Sequence, residues 1–333
     1  MTRRLQNMEL DQKNTVDISV VIPVYNEADS LEPLYGKLSE VLTGLNRSFE
    51  IVFIDDGSDD GSANVLENLR RRDGRVGVIS FRRNFGKSAA LDAGFGACRG
   101  DLVFTMDADL QDDPEEMPSM VEKLEQEGYD LVSGWKFDRQ DPLGKTLPSK
   151  LFNLVTSIAS GLRLHDFNCG FKLYRGIVAR GLKVYGELHR YLPALAHWQG
   201  YRVTEIKVRH HKRKFGRSKF GAGRLIKGYL DLITVVFLNR YTRSPLHFFG
   251  SLGSLLCAAG FAIGLYFVGY WVVHQNIGGR VPLLLFAIFL MLTGVQLIST
   301  GLLGEMLTSS LHYEREPAYL VRQQSLPAEK QDN

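Results

Sequence analysis

Two stretches near the C-terminal end of this 333-residue chain, Leu246–Val273 and Val281–Leu303, hold no Asp, Glu, Lys or Arg. As a helix the first would run about 42 Å at 1.5 Å per residue, more than the roughly 30 Å of a bilayer's hydrocarbon core. Core helices of soluble proteins are seldom this long and this uniformly apolar, so the sequence predicts two membrane spans. The rest of the chain is of another kind. Its mean hydropathy of −0.10 averages a polar α/β region with an apolar anchor and describes neither. A transporter of many spans would push that mean well above zero. With 44% hydrophobic residues, the chain has ample material for a core, which excludes disorder.

Flanking charge sets the expected orientation. Arg240 and Arg243 precede the first span, behind the acid-free basic stretch 207–219, whereas the connector His274–Arg280 carries one Arg. The positive-inside rule places the large region and the C-terminal tail in the cytoplasm, with the spans in the inner (cytoplasmic) membrane. The start of the chain has no apolar signal-peptide segment, in keeping with that side. Gly250, Ser251, Gly253 and Ser254 allow close helix packing, and self-association through the anchor is the expectation. Cys98, Cys169 and Cys257 are far apart, with no CxxC spacing, and read as buried or lipid-facing thiols.

Ahead of the spans, short apolar runs alternate with helix-like spacing. The runs are Ile18–Val24, Glu50–Ile54, Val76–Phe81, Leu102–Met106 and Asp130–Ser133, with helical patterns over 28–45, 61–72, 86–98 and 114–127. Such alternation predicts a mostly parallel sheet with helices on both faces, and ligands at the carboxyl ends of its strands. Residues 143–160 read as an amphipathic helix starting beside Pro148, and His165–Arg175 as a loop. Residues 224–240 read as a helix lying along the membrane surface.

Polar clusters follow three strands: Tyr25-Asn26-Glu27, Asp55-Asp56-Gly57-Ser58 and Asp107-Ala108-Asp109-Leu110-Gln111. Two carboxylates as close as Asp107 and Asp109 repel unless a cation joins them. Mg²⁺ or Mn²⁺ takes hard oxygens from one or two carboxylates plus substrate phosphates, and Gln111 can add an amide oxygen. Alone, such a turn is as readily a pair of helix-capping acids leading into Pro114; its place beside other acidic strand ends favours the chemical reading. The run Arg82–Lys87 opens a helix, where an anion is well received. The basic stretch through Arg213–Lys219 is a solvated charge run, a nucleic-acid patch or a phosphate-binding segment. Its place next to a membrane favours phosphate, and no nucleic-acid partner is expected.

Taken in order, VVIPVYNE (20–27), FIDDGS (53–58), RNFGKSAAL (83–91), MDADLQDDPE (106–115), DFNCGFKLYR (166–175) and RKFGRSK (213–219) resemble the family 2 glycosyltransferases of the GT-A fold. The closest likeness is to the polyprenyl-phosphate, dolichol-phosphate mannose synthase-like branch. The anchor with GVQLISTGLLGE (294–305) resembles its membrane-anchored bacterial members. The resemblance covers about residues 17–322. It implies a nucleotide-sugar site at Pro23, Tyr25, Glu27, Ile54, Asp56, Asp107 and Ala108, with Lys219 nearby. It implies a metal on Asp107, Asp109 and Gln111. Lys145, Ser149 and Arg213 match positions that contact acceptor or donor phosphates, so Asp109, Lys145 and Arg213 are the candidate catalytic residues. Lys145 and Lys136 stand where the family often has Arg; lysine keeps the charge but loses the bidentate fork.

The implied organisation is a polar tail over 1–16, a cytoplasmic GT-A domain over 17–223, an interfacial helix over 224–243, two transmembrane helices within 244–305 and a cytoplasmic tail over 306–333. The implied reaction is inverting transfer of one sugar from a nucleotide diphosphate, UDP-glucose first, to a polyprenyl phosphate such as undecaprenyl phosphate. A UDP-linked modified arabinose and GDP-mannose are the alternative donors. Membrane lipids would surround the anchor. A lipid hydroxyl is the alternative acceptor; it would need a general base, for which Asp138 and Asp141 are poor candidates. A non-catalytic membrane scaffold is the reading from another class.

Overall fold

The computed structural model describes residues 16–137, 143–211, 245–275, 279–310 and 321–325, of which 143–151, 307–310 and 321–325 are described by backbone alone. Arg213, Lys219, Asp138, Asp141 and the expected interfacial helix lie outside the described residues. The chain divides into two compact units, 1–228 with 317–333, and 229–316.

The first unit is built on β1 (Ile18–Val24), β2 (Phe49–Asp55), β3 (Val76–Phe81), β4 (Leu102–Thr105), β5 (Leu131–Lys136), β6 (Lys172–Arg175), β7 (Val203–Val208) and β8 (Val321–Ser325). They form one sheet in the order β7-β5-β6-β4-β1-β2-β3-β8. β1 runs parallel to β2 and β4, β2 to β3, and β5 to β7, whereas β6 is antiparallel to β4 and β5, and β8 to β3. The carboxyl ends of β1 to β5 and of β7 therefore share one edge.

Strands buried on both faces read as continuous apolar runs, because neither side meets water. Val20, Ile22 and Val24 of β1 pack in one core with Leu31, Leu34 and Leu38 of α1 (Ala28–Gly44), Leu66 and Leu69 of α2 (Ser62–Arg72), and Met117, Met120 and Leu124 of α4 (Met117–Gln126). The opposite face takes α3 (Lys87–Ala97), which lies so close that a Cβ on Gly94 would collide with the Val21 side chain.

Two expectations need correction. Residues 172–175 are not loop but strand β6, inserted antiparallel between β4 and β5. Lys172, Leu173 and Tyr174 are all buried there, so the short run is a central strand whose lysine masked its apolar character. The helix α5 begins at Leu143, so Pro148 lies inside it rather than at its start. Two short helices, α6 (Gly176–Gly181) and α7 (Leu192–Trp198), complete the unit. The edge strand β8, formed by the polar tail, was not expected from the sequence.

The second unit is a hairpin of α8 (Pro245–His274) and α9 (Val281–Ser310). Both helices are long and apolar enough to cross a membrane. Their outward side chains are open, Val273 by 75% and Leu292 by 66%, so they are not core helices of a soluble body. A Cβ on Gly253 would come within 2.5 Å of the Gly294 carbonyl oxygen, and one on Gly260 within 2.6 Å of that of Ala287. These glycines are thus used within the hairpin itself, where small residues let the backbones approach. Ser251 and Ser254 remain on the exposed side.

Candidate active site

Three strand ends converge on the shared edge. After β1 the chain turns sharply at Asn26, whose φ of +58° is left-handed. The turn is tied to the loop after β2: Asn26 N–H donates to Ser58 Oγ (3.0 Å), its side-chain amide donates to Asp59 Oδ1 (2.7 Å), and Glu27 N–H donates to Ser62 Oγ (3.1 Å). Asp56 is bonded to β1 in turn, its N–H donating to the Val24 carbonyl at 2.8 Å. Pro23, Tyr25, Glu27, Ile54 and Asp56 are thereby brought together at the ends of β1 and β2.

Asp56 is buried, and its two oxygens accept the N–H groups of Phe85 (2.6 Å) and Gly86 (2.9 Å). Burial raises its pKa above the ordinary carboxylate value; these two bonds pull the other way, and the neighbouring Asp55 adds to the rise. A carboxylate has about four acceptor positions, so two remain for a donor on a ligand. Gly57, at φ +71°, makes the arrangement reachable: a Cβ there would strike the backbone of Arg83. The loops after β2 and β3 lie back to back at that point.

At the end of β4, Asp107 is about one-third exposed and ion-paired with Lys87, the first residue of α3. Gly170 closes on its other side, since a Cβ there would lie 2.8 Å from Asp107 Oδ2. Ala108 and Asp109 are buried, and Asp109 Oδ1 accepts the Gln111 N–H at 3.2 Å. Leu110 between them holds φ +60°, a conformation costing about 1–2 kcal/mol for an L-residue. Such strain persists only where surrounding contacts enforce it.

Behind this turn lies a buried charge pair. Lys136 Nζ stands 3.5 Å from Asp112 Oδ1, with His210 Nδ1 at 3.8 Å on the same oxygen. Burial opposes the Asp112 charge, but Lys136, His210 and Lys87 together hold its carboxyl well below the ordinary range. Burial likewise opposes the Lys136 charge, and Asp112 leads the groups that keep its pKa above normal.

The donor set suits a hard divalent cation held partly by its substrate. Asp107 and Asp109 offer carboxylate oxygens, Gln111 an amide oxygen, and the Lys87 ammonium already meets Asp107 where positive charge is needed. Among the described residues no three His, Cys, Asp or Glu side chains form a closed cage. Mg²⁺ sites of this kind keep one or two carboxylates and take the remaining ligands from phosphates and water.

The other expected residues are not brought to this point by the described structure. Lys145 and Ser149 lie on α5, described by backbone alone, and Arg213 and Lys219 fall outside the described residues. Sequence reasoning did not pair Lys87 with Asp107, nor Lys136 with Asp112. The available signal was the second acid pair in DADLQDD, which a helix-cap reading absorbs.

Residues 19–181 match the model of glycosyl transferase family 2. Dodecaprenyl-phosphate galacturonate synthase of Rhizobium johnstonii is 38% identical over 326 residues, 94% of either chain. Undecaprenyl-phosphate 4-deoxy-4-formamido-L-arabinose transferase of Pseudomonas aeruginosa is 40% identical over 295 residues, 87% of this chain and 84% of its own. Among solved structures, glucosyl-3-phosphoglycerate synthase of Mycobacterium tuberculosis, in complex with Mn²⁺, UDP and phosphoglyceric acid, is 20% identical with a TM-score of 0.53. That match covers 67% of this chain and 78% of the other, and it shows a shared GT-A-like fold.

Proposed function

The chain belongs to glycosyltransferase family 2, among the polyprenyl-phosphate glycosyltransferases, and from that premise we propose that it moves one sugar from a nucleotide diphosphate to a polyprenyl phosphate at the cytoplasmic face of the membrane. The observation that carries this reading is the joining, in one chain, of a strand-edge carboxylate cluster to two helices long and apolar enough to cross a bilayer. Such a chain suits a reaction between a water-soluble donor and an acceptor held in lipid.

The nucleotide lies against Pro23, Tyr25, Glu27, Ile54 and Asp56. Asp107, Asp109 and Gln111 hold a divalent metal, Mg²⁺ or Mn²⁺, which when bound offsets the negative charge developing on the departing diphosphate. The nucleophile is the acceptor phosphate. With a second pKa near 6, a phosphate monoester is largely dianionic at neutral pH, so it attacks C1 without a general base and inverts it. The work left to the protein is orientation and charge. Lys145, Ser149, Arg213 and Lys219 position the acceptor phosphate and offset repulsion between two anionic substrates.

The names of the two relatives widen the donor panel. UDP-glucose stands first, beside donors of galacturonate and of 4-deoxy-4-formamido-L-arabinose, and GDP-mannose. Each labelled donor is incubated with the detergent-solubilised protein and undecaprenyl or dodecaprenyl phosphate, and lipid is extracted. One donor yielding a lipid-linked sugar is expected; no product from any of them overturns the reading.

A further inference from the structure

The strand β7 does not stop at the sheet. Its continuation, Arg209–His211, runs over the turn that follows Asp109 and pairs with it residue by residue. His210 and Asp112 form an isolated antiparallel bridge. The His211 N–H donates to the Gln111 carbonyl at 2.8 Å, and the Gln111 side-chain amide donates back to the His211 carbonyl at 3.3 Å. The side chains repeat the pairing. His211 Nε2 lies 3.0 Å from Asp113 Oδ2, and Arg209 reaches Glu116 at 2.7 Å and Glu115 at 3.0 Å. Asp113 also caps the short turn Pro114–Glu116, accepting the Glu115 N–H at 3.2 Å.

One consequence is chemical. Only the NH₂ of an amide donates to a carbonyl, so the bond to His211 fixes which end of Gln111 is engaged. The amide oxygen is left on the other side of the group, the form a hard cation accepts. A second consequence is mechanical. Leu110 holds a left-handed conformation, and this continuation of β7 adds its bonds to Gln111 and its pairing with Asp112 to the contacts that fix the turn on its C-terminal side, beside the Gln111 N–H bond to Asp109 and the Lys136–Asp112 pair.

We propose that Arg209–His211 is a clasp that presets the Asp107–Gln111 turn for a metal-bound diphosphate, with Arg209 and His211 as positioning residues. The proposal rests on the metal and nucleotide reading above and deepens it. In sequence, His211 stands two residues before Arg213, so the clasp also joins the donor turn to the start of the basic stretch.

The test is calorimetric binding of UDP, and of GDP for comparison, to the full-length protein in detergent, each with MnCl₂ and with EDTA. The wild type is expected to bind one nucleotide more tightly with Mn²⁺. Arg209→Ala/His211→Ala should lose most of that Mn²⁺-dependent gain, about tenfold, while its affinity in EDTA stays within twofold of wild type. Arg209→Lys/His211→Gln, which keeps donors in both places, should recover part of the gain. An alanine variant with the full gain overturns the clasp, and so does one that weakens equally with and without metal, the mark of simple unfolding. If the wild type gains nothing from Mn²⁺ with either nucleotide, the underlying reading fails and the clasp falls with it.

Discussion

In the proposed site each side chain is set by a neighbour. Asp107 is ion-paired with the Lys87 ammonium and packs so closely on Gly170 that a Cβ there would collide with its carboxylate. Lys87 therefore competes with any metal for the same carboxylate. Lys87→Gln should raise the affinity of the nucleotide-free protein for Mn²⁺ about two- to fivefold, the range of a partly exposed ion pair, as read by electron paramagnetic resonance. Asp109→Ala should lower sugar transfer on the order of 100-fold with little change in folding, the loss typical of a group that stabilises developing charge. Full activity in that variant would remove Asp109 from the metal site. The thiols behave oppositely. Burial pushes both Cys98 and Cys169 up to about 12, so neither is a thiolate at neutral pH. Iodoacetamide should spare both in the native protein and label both in denaturant, as counted by mass spectrometry.

At the scale of elements, the sheet is held at the edge opposite the site by another buried charge. Glu50 of β2 is fully enclosed and accepts from Ser19 Oγ (2.7 Å), Arg99 N–H (2.7 Å) and Arg99 Nε (2.9 Å). These bonds stitch β1 and β2 to the segment entering β4. Removing one partner of a buried pair costs about 3–5 kcal/mol, because the other is left uncompensated. Arg99→Ala, which leaves the enclosed Glu50 carboxylate without its cation, should lose stability of that order in urea unfolding; a loss under about 1 kcal/mol would deny the pair its role. Most of this framework was legible in the sequence. The runs 18–24 and 76–81 are strands because they are apolar on both faces, and both faces are buried. The strand β6 was not legible, since Lys172 interrupts its apolar run; only in the folded sheet is that lysine buried, its amine donating to the Cys169 carbonyl. The start of α5 was misplaced because proline is a strong breaker, yet the helix carries Pro148 inside it.

For the whole molecule, the deciding feature is the side of the membrane on which each part lies. The strand β8, after both spans, pairs with β3 of the catalytic sheet, so the C-terminal tail and that sheet lie on the same side. Two crossings satisfy that requirement. A fluorescent protein fused to the C-terminus should mature in the cytoplasm, and alkaline phosphatase at the same point should stay inactive. The reverse pair of results would refute the positive-inside reading. The amino-acid sequence by itself determined the two spans, the alternation of strands and helices, and the acids at the strand ends. These are local properties, written in runs of neighbouring residues whose burial depends little on distant chain. Only the tertiary structure decided which charges meet. Lys87 finds Asp107 across 20 residues, Lys136 finds Asp112 across a sheet, and His211 finds Asp113 across 98, pairings that no local pattern encodes. They arise because parallel strands deliver distant segments to one edge, where buried charge is tolerated only beside its opposite.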